Sequence, residues 1–386
     1  MPHAPVYLDY HATTPVDRRV VEAMLPFFTE TFGNPASSSH AWGWKAQEVV
    51  EGARREVAAL IGATPREVIF TSGATESNNF AIYGVAQRAP AARRHVVVSA
   101  IEHKAVLESA NRLSATGWRV SVAPVHPDGR LDLDVLERLV TAETALVSVM
   151  AANNEIGVLQ SMPEIAAIAH RHGALVHTDA AQAAGKIPVA VDAMGVDLLS
   201  LTGHKMYGPK GCGALYIRRK TDIAPLIVGG GHERGLRSGT LNVPGIVGLG
   251  KACALAMAEM PAESVRLAAL RDRLLAGLQT SLGGITVNGS IDHRLPHNLH
   301  VSFDGVDGES LLIGIGDIAV SSGSACASAS AQPSHVLSAL MGAANVPSAS
   351  IRFGLGRFTT DDDVAYAIEK FTAVVRHLRE LSPVRT

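Results

Sequence analysis

Short apolar runs alternate with stretches of helical periodicity between about residues 45 and 250, and this alternation constrains the fold more than any other feature of the chain. The runs are rich in Val, Leu and Ile and lack the polar alternation of a strand with one face in water. The runs predicted to be buried strands cover residues 68–70, 96–98, 146–149, 174–177 and 198–201. The pattern therefore predicts an α/β fold, with a mainly parallel sheet covered by helices.

The pattern changes after Met260 and Pro261, and the change predicts a second, smaller unit. A long helix with arginines on its polar side follows, then short strands near residues 299–303, and then a last helix. Thr360 and Asp363 are spaced as a capping box, which marks the start of that last helix. Its apolar face is formed by Val364, Ile368, Phe371, Val375 and Leu378. We therefore expect a large domain followed by a smaller α+β C-terminal domain.

The composition sets further limits on function. The chain has 386 residues, a formal charge of −2 and no long basic run, which argues against nucleic acid as a direct partner. No stretch reaches about 18 uninterrupted apolar residues, and the N-terminus lacks the basic-then-apolar order of a signal peptide. We expect a cytoplasmic protein without membrane contact. The three cysteines, Cys212, Cys253 and Cys326, share no metal-ligand spacing, so we expect neither a metal site nor a disulfide framework.

Asp179 and Lys205 each close a short apolar run, 26 positions apart. In an open α/β sheet, ligands bind outside the carboxyl ends of the strands, so an acid and a lysine placed there can face one ligand. Pyridoxal phosphate requires this pair, because a lysine amine bonds to it covalently and a carboxylate keeps its pyridine nitrogen protonated. From these two residues alone, a surface acid and a surface lysine are an equally good interpretation.

A turn between a predicted strand and a predicted helix, Ser72-Gly73-Ala74-Thr75, has the form of an anion site. At such a turn the backbone N–H groups of the helix N-terminus face a phosphate. Thr75 adds a hydroxyl, and Thr202 and His204, beside Lys205 in the chain, can reach the same group. Taken by itself, the turn is more simply interpreted as an ordinary helix cap.

Cys326 lies in a tract of small residues over positions 321–330 that has no apolar anchor. Such a tract is typical of a mobile, exposed loop, which we place at about residues 321–333. A thiol there has no packing role, so we predict a reactive cysteine. Cys212 lies between two glycines ahead of an apolar run and Cys253 lies in a helical stretch, so both are predicted to be small buried hydrophobic side chains.

Four motifs together resemble the cysteine desulfurases of the NifS/IscS type, which belong to the class V aminotransferase superfamily. The motifs are 71–79 (TSGATESNN), 179–182 (DAAQ), 202–211 (TGHKMYGPKG) and 321–326 (SSGSAC). The resemblance runs from Tyr7 to Pro383, with the motifs in the family's order. It implies the PLP-dependent transferase fold type I, with pyridoxal 5'-phosphate as cofactor. It also implies a large cofactor domain over residues 15–255 and a small domain built from residues 1–14 and 256–386.

The resemblance further implies how single residues hold the cofactor. Lys205 bonds to it covalently, and Asp179 holds its pyridine nitrogen. His103 lies flat on its ring, where it can stack and also move protons at neutral pH. Asn154 and Gln182 are hydrogen-bond partners of its phenolic oxygen. The phosphate is implied to lie at the turn of residues 72–75.

Four residues are implied to handle the substrate and the subunit contact. Arg352, together with Asn154, binds the substrate, and a guanidinium fork suits the bidentate binding of a carboxylate. Arg357, five residues later, is interpreted as structural. Thr240 matches the family position that reaches the phosphate from the other subunit, which implies a homodimer with sites at its interface. Cys326 matches the nucleophile that accepts the sulfur.

The implied reaction converts L-cysteine to L-alanine. Lys205 removes the Cα proton, His103 manages the thiol proton, and Cys326 attacks the substrate sulfur to become a persulfide. The sulfur then passes to an acceptor protein, such as an iron–sulfur scaffold or a protein that thiolates tRNA or DNA. A selenocysteine lyase or another class V enzyme is the alternative. Such an enzyme needs no mobile cysteine, so Cys326 is the residue that distinguishes the two possibilities. A sulfur-relay protein without catalysis is disfavoured by the presence of Lys205, Asp179 and His103.

Two features depart from the family pattern. IscS-type members continue well beyond the position of Pro383 and use that extension to dock an iron–sulfur scaffold, whereas this sequence ends at Thr386. Docking to a scaffold is therefore left open. Thr202 is often a serine in the family, but the hydroxyl is retained, so we expect phosphate binding to be preserved.

Overall fold

The structure, a computed structural model, describes residues 5–322 and 334–381. Its strands are β1 (Val6–Tyr7), β2 (Val68–Thr71), β3 (His95–Ser99), β4 (Arg119–Ala123), β5 (Thr144–Ser148), β6 (Leu175–Asp179), β7 (Leu198–Thr202), β8 (Gly213–Ile217), β9 (Ile285–Val287), β10 (Asn298–Phe303), β11 (Ile318–Ala319), β12 (Ser321–Ser322) and β13 (Ser350–Gly354). Its helices are α1 (Arg18–Met24), α2 (Pro26–Thr29), α3 (Ala41–Ile61), α4 (Ala74–Arg88), α5 (Lys104–Ser114), α6 (Leu133–Leu139), α7 (Met162–Arg171), α8 (Val191–Met194), α9 (Val243–Ser281), α10 (Gly308–Gly314), α11 (His335–Met341) and α12 (Asp361–Leu381).

A seven-stranded sheet forms the centre of the larger unit, with the strand order β2-β8-β7-β6-β5-β3-β4. The strands β3 to β7 run parallel, whereas β8 is antiparallel to both of its neighbours, β2 and β7. β2 therefore points in the same direction as the parallel strands. The prediction of a mainly parallel sheet is confirmed. Each predicted run lies within β2, β3, β5, β6 or β7, apart from one residue at the end of two runs.

Helices cover both faces of this sheet, which explains why its strands are buried and mainly apolar. Val97 packs with residues of α3, α7 and α9, whereas Val96 and Val98 pack with residues of α4 and α5 on the opposite face. Successive side chains of a strand point to opposite faces, so a strand between two helical layers buries the side chains of both faces. All five residues of β3 are buried accordingly.

The smaller unit is built on a four-stranded antiparallel sheet in the order β12-β13-β10-β9. β1, from the start of the chain, pairs in parallel with β11, and Val6 and Leu8 pack in the same hydrophobic cluster as α12. The predicted capping box at the start of α12 is present. Thr360 N–H donates to Asp363 Oδ2 at 2.9 Å, and Asp363 N–H donates to Thr360 Oγ1 at 3.1 Å.

α9 joins the two units and differs from the sequence expectation. The sequence predicted a new helix after Pro261, but α9 is one helix of 39 residues that continues through this proline. An interior proline removes a hydrogen bond and crowds the preceding turn, at a cost of about 3 kcal/mol. Burial at both ends outweighs this cost, because Cys253 and Ala256 pack into the core of the larger unit and Leu267 and Leu270 into that of the smaller one. The domain boundary predicted after residue 255 thus falls within a continuous helix.

By length and composition alone, α9 could cross a membrane, since its most apolar window has a mean hydropathy of 1.3. Half of that window is buried inside the protein. α9 also packs closely along α3, where a Cβ placed on Gly250 would lie 2.6 Å from the Ala53 Cα. α9 is therefore a core helix of this fold.

Candidate active site

A cavity of about 530 Å³ opens at the edge where β2, β6 and β7 end. Its volume lies within the range of ~300–1,000 Å³ that is typical of small-molecule and cofactor sites. The three strands end together because they run in the same direction, and the segments after β3 and β5 reach the same edge. The cavity is lined by ten residues predicted for the site: Ala74, Thr75, His103, Asn154, Asp179, Gln182, Thr202, His204, Lys205 and Arg352.

Lys205 ends a short 3₁₀ turn that directly follows β7. Its Nζ donates hydrogen bonds to the backbone carbonyls of His11 and Ala12, the second at 2.8 Å. The N-terminal segment therefore reaches into the cavity of the larger unit. A carbonyl oxygen accepts a hydrogen bond but does not ionise, so these contacts orient the amine without adding a charge of opposite sign.

Asp179 closes β6 and is buried. Its Oδ1 accepts a hydrogen bond from the Ala181 N–H at 2.9 Å, and its Oδ2 accepts one from the Asn78 side chain at 2.6 Å. A carboxylate has about four acceptor positions, so these bonds fix its orientation and leave capacity for a ligand. Asn78 has no role in the sequence prediction. Its spacing from Thr75, three residues or about one helical turn, is the signal that could have found it.

The turn before α4 has the backbone of an anion site. Gly73 is the N-cap of α4, and its angles, φ 148° and ψ −177°, belong to a region that is essentially restricted to glycine. A Cβ on Gly73 would lie 3.5 Å from the Thr202 hydroxyl oxygen, so the two sides of the turn approach closely. Within the described chain no side chain caps this helix end, so its first N–H groups keep their capacity to bind an anion.

His204 contributes a neutral side chain to the same end of the cavity. Burial, assisted by the charge of Lys205, lowers the pKa of His204 to about 4. Its Nδ1 lies 3.1 Å from the Thr13 hydroxyl oxygen. At neutral pH this imidazole therefore offers hydrogen bonds but no positive charge to a bound anion.

His103 is the N-cap of α5 and lines the cavity. Its Nδ1 accepts a hydrogen bond from the Ala105 backbone N–H at 3.1 Å. Because Nδ1 is the acceptor, the neutral ring carries its proton on Nε2. The helix start thus fixes both the tautomer and the orientation of this imidazole.

Gln182 is held by His11, a residue that sequence reasoning missed. The Gln182 amide nitrogen donates to the His11 carbonyl at 3.0 Å, and its Oε1 lies 2.9 Å from His11 Nδ1. His11 Nε2 lies 3.0 Å from the Asn298 amide nitrogen, which is a donor, so the proton of the ring is on Nδ1. Burial holds the pKa of His11 well below its usual value. One hydrogen of the Gln182 amide group is left for a ligand.

Arg352 lies on β13 of the smaller unit and lines the cavity of the larger one. Its Nη1 donates to the Asn154 carbonyl at 2.8 Å, and its Nη2 donates to Asp9 Oδ1 at 2.9 Å. The side chain is only 4% exposed, and Nε finds no acceptor among the described residues. A buried guanidinium with an unsatisfied N–H is suited to bind a further anion.

Arg357 differs from Arg352 in its surroundings and does not line the cavity. It pairs with Asp17 at 2.7 Å and with Glu263 at 3.1 Å, and its guanidinium lies 4.3 Å from the centre of the Tyr207 ring. These contacts engage both of its terminal nitrogens, and its Nε, like that of Arg352, finds no acceptor among the described residues. The geometry supports the structural interpretation of Arg357.

The described cysteines are poor nucleophiles. Cys212 and Cys253 are buried, as predicted. Burial raises the pKa of the Cys212 thiol to about 12 and raises the pKa of the Cys253 thiol further above its usual range. A thiol is reactive as its thiolate, so neither residue is suited to attack sulfur at neutral pH. Cys326 and its predicted loop, apart from the first two residues, lie outside the described residues.

Thr240 is exposed and lies outside the cavity of its own chain. The segment that precedes it is fixed to the larger unit by two ion pairs. Arg237 donates to Glu76, which lines the cavity, at 2.8 Å and 3.2 Å. Glu233 forms a bidentate pair with Arg54, in which both N–O distances are 2.7 Å. The exposed position of Thr240 is compatible with a role in a second subunit.

Comparisons with known proteins agree with this geometry. The family model described as aminotransferase class-V matches residues 6–366. The cysteine desulfurase IscS of Anaeromyxobacter sp. (strain K) is 56% identical over 382 residues, which cover 98% of this chain and 95% of that protein. A solved structure of a NifS-like protein is similar with a TM-score of 0.90 at 39% identity, and the match covers 97% of this chain and 100% of that one. A structure described as SspA in complex with cysteine is similar with a TM-score of 0.81 at 35% identity, covering 92% and 100%.

Proposed function

The chain belongs to the aminotransferase class-V family, among its cysteine desulfurases, and on this premise we propose that it converts L-cysteine to L-alanine with transfer of the sulfur to Cys326. One observation carries the proposal. Lys205, Asp179 and Arg352, which come from two structural units, line the same cavity. A lysine, a fixed carboxylate and an arginine with an unsatisfied N–H are the groups that a pyridoxal enzyme acting on an amino acid requires.

The residues of the cavity fit pyridoxal 5'-phosphate. The glycine turn at Gly73 presents uncapped N–H groups to a phosphate, with the hydroxyls of Thr75 and Thr202 beside them. Asp179 keeps acceptor capacity for a protonated pyridine nitrogen, and Lys205 reaches the cavity wall. When bound, the cofactor would supply an aldehyde that bonds to an amine and a ring that accepts electrons. Asn154, Gln182 and His103 would hold its remaining edge and face.

Lys205 and His103 handle protons, and Arg352 orients the substrate. Lys205 removes the Cα proton of the substrate, and the carbonyls of His11 and Ala12 orient its amine in the cavity. His103 handles the proton of the substrate thiol through its Nε2, since its Nδ1 accepts from the Ala105 N–H; in this tautomer Nε2–H is a donor, and the ring releases that proton before it takes up the proton of the thiol. Arg352 binds the substrate carboxylate and thereby orients the substrate within the cavity.

The sulfur transfer is a displacement at the substrate sulfur. The Cys326 thiolate forms a new S–S bond as the bond between the substrate Cβ and its sulfur breaks. The electron pair of the broken bond stays with Cβ, which is reduced and takes up a proton to give alanine. The transferred sulfur is oxidised to the persulfide level, so no external oxidant is needed. An acceptor protein, such as an iron–sulfur scaffold or a thiolation protein, would then receive this sulfur.

We include a homodimer in the proposal, because Thr240 matches the family position that reaches the phosphate from the other subunit; its exposure and its position outside the cavity of its own chain support this. The ion pair between Arg237 and Glu76 ties the segment before Thr240 to the wall of the cavity. The cytoplasmic location is likewise a proposal, and it rests on the composition of the sequence.

Replacement of the nucleophile tests the function. Cys326→Ala should bind pyridoxal phosphate and respond spectroscopically to L-cysteine, since those steps use Lys205, His103 and Arg352. It should release sulfide at least about a hundredfold more slowly, because the covalent step has no alternative nucleophile. The loss should appear in kcat and should not be rescued by more substrate.

Cys212→Ala and Cys253→Ala are the matched controls, since both thiols are buried and each change removes one small side chain. Each should retain activity and cost roughly 1 kcal/mol of stability. Mass spectrometry should find an added mass of about 32 Da, one sulfur atom, on the peptide that contains Cys326. Sulfide release by Cys326→Ala at the wild-type rate would contradict the proposal and favour a selenocysteine lyase or a related class V enzyme.

A further inference from the structure

The residues 323–333 contain Cys326 and are called the Cys326 stretch below. Ser321 lies just before this stretch, and its hydroxyl bonds to a residue that contacts Arg352. Its Oγ donates to Asp9 Oδ1 at 2.9 Å. The same oxygen of Asp9 accepts from Arg352 Nη2, also at 2.9 Å. Ser321 is in addition the strand partner of Arg352, because β12 pairs with β13 at this position. One end of the Cys326 stretch is therefore fixed to the guanidinium of Arg352 through a shared carboxylate oxygen.

Ser334 lies just after the same stretch and is bonded in a similar way. It is the N-cap of α11 and accepts a hydrogen bond from the Leu337 N–H at 3.2 Å. Its own hydroxyl proton is therefore directed to Glu155 Oε2, 2.5 Å away. Glu155 is buried and directly follows Asn154, whose carbonyl accepts from Arg352 Nη1. The second end is thus connected to Arg352 through Glu155 and the carbonyl of the adjacent Asn154.

The second connection is supported by packing. Val336 and Leu337 of α11 lie in one hydrophobic cluster with Ile101 and Met150 of the larger unit. Met150 also lines the cavity. α11 therefore rests on the wall of the site, and the Ser334 hydroxyl sets the position at which the helix begins.

Building on the proposed function, we propose that Ser321 and Ser334 are positioning residues that hold both ends of the Cys326 stretch beside Arg352 and so increase the rate of sulfur transfer. Neither serine lines the cavity, so they act through Asp9 and Glu155 rather than on the substrate itself. A tethered thiol reacts at a rate set by its effective concentration at the target. That concentration falls when the ends of the tether are less constrained.

The test uses the dimeric enzyme loaded with pyridoxal phosphate, and the variants Ser321→Ala and Ser334→Ala. Rapid-mixing mass spectrometry measures the first-turnover rate of persulfide formation on Cys326. We expect this rate to fall about three- to tenfold in each variant, as for the loss of one hydrogen bond, and further in the double variant. The L-cysteine concentration that half-saturates the spectral response should stay within about twofold, since Arg352 keeps its partners.

Conservative variants and a matched control complete the design. Ser321→Thr and Ser334→Thr retain the hydroxyl and should restore the rate. Ser348→Ala removes a hydroxyl that bonds to the Val306 carbonyl at 2.9 Å in the same unit, and it should leave the rate unchanged. Hydrogen exchange of residues 334–341, measured without substrate, should be faster in Ser334→Ala, which reports the lost connection independently of turnover.

Two results would overturn the inference. The first is a wild-type rate of persulfide formation in both alanine variants while hydrogen exchange shows the Ser334 connection to be lost. The second is a fall in rate that is matched by an equal weakening of L-cysteine binding, which would mean that the serines act on Arg352 instead. A failure of the proposed function itself is distinguishable from both, because it would appear as sulfide release by Cys326→Ala.

Discussion

The two sides of the cavity are built in different ways. The sheet side consists of residues at or directly after strand ends, such as Asp179 after β6 and Lys205 after β7. The junction side contains Arg352, which forms an ion pair with Asp9 from the opposite end of the chain. Neighbouring parallel strands place their ends together without further interactions, whereas the junction exists only when both units are folded and packed.

This difference assigns different tasks to the two sides. In the proposed function, the groups that would hold the cofactor lie on the sheet side, where the backbone of the strands fixes them. Arg352, the group proposed to bind the substrate, lies on the junction side, where ion pairs and hydrogen bonds connect separate segments. We therefore expect changes on the sheet side to affect chemistry or stability strongly. Changes on the junction side should affect binding and rate by smaller factors.

The largest expected effect lies on the sheet side. Lys205→Ala should lower turnover by a thousandfold or more, roughly, because it removes both the covalent attachment of the cofactor and the base for the Cα proton. The visible absorbance band of the protein should disappear with it. Lys45→Ala, an exposed lysine on α3, is the control and should be unaffected. If Lys205→Ala retains both the absorbance band and the activity, the sheet side does not bind the cofactor in the way proposed.

The next effect concerns the buried ion pair of Arg54 and Glu233, which contacts the backbone of β2. Glu233 Oε2 also accepts from the Phe70 N–H of β2 at 2.8 Å. Arg54→Leu should lower the free energy of unfolding by about 3–5 kcal/mol, because it leaves a buried carboxylate without its cation. Urea unfolding at fixed protein concentration measures the change.

The double variant Arg54→Leu with Glu233→Leu sharpens this result. It removes both charges, so it should lose less stability than Arg54→Leu alone. If the double variant is instead less stable than Arg54→Leu, the attraction between the two charges exceeds the cost of burying them, and the pair itself stabilises the protein. The sheet side would then depend on a charge pair as much as the junction side does.

A smaller effect is expected at the junction. Arg352→Lys keeps the positive charge but loses the bidentate fork, so KM for L-cysteine should rise about tenfold to a hundredfold while kcat changes much less. Arg357→Lys is the matched control, because Arg357 is also a partly buried arginine near the junction but lies outside the cavity. It should leave KM unchanged. A raised KM in Arg357→Lys and not in Arg352→Lys would exchange the roles of the two arginines.

The smallest effect is a pH dependence on the sheet side. His177 of β6 lies between the hydroxyls of Ser148 and Ser200, and burial lowers its pKa to about 4. Between about pH 6.5 and pH 4 the unfolded state binds a proton at this residue and the folded state does not. Stability should therefore fall as the pH is lowered through this window, by about 1 kcal/mol per pH unit from this residue.

Urea unfolding at several pH values, compared between wild type and His177→Gln, isolates this contribution. The variant should show a shallower dependence on pH, since it carries one titrating group less. An unchanged slope would mean that His177 takes up a proton in the folded protein, and that the sheet side is more open to water than its burial indicates.

The sequence predicted the sheet side because its information is local. An apolar run followed by a charged residue identifies both a buried strand and the group at its end, and the alternation with helices places such ends at one edge. Asp179, Lys205 and the turn at Gly73 could thus be located from short segments, and the family resemblance of the motifs assigned their roles. Asn78, which a helical spacing could have revealed, and His11, which contacts Gln182 from a distant part of the chain, were not found.

Tertiary structure alone decided the rest, because the partners are far apart in the chain. Asp9 and Arg352 are separated by 343 positions, and His11 and Gln182 by 171. The resemblance already distinguished Arg352 from Arg357, but the contacts of Arg352 with Asp9 and with the Asn154 carbonyl depend on how the small sheet packs against the larger unit. α9 likewise continues through Pro261 because burial at both ends outweighs a local preference. Local patterns fix which groups a segment presents, but only the packing of distant segments fixes which of those groups meet.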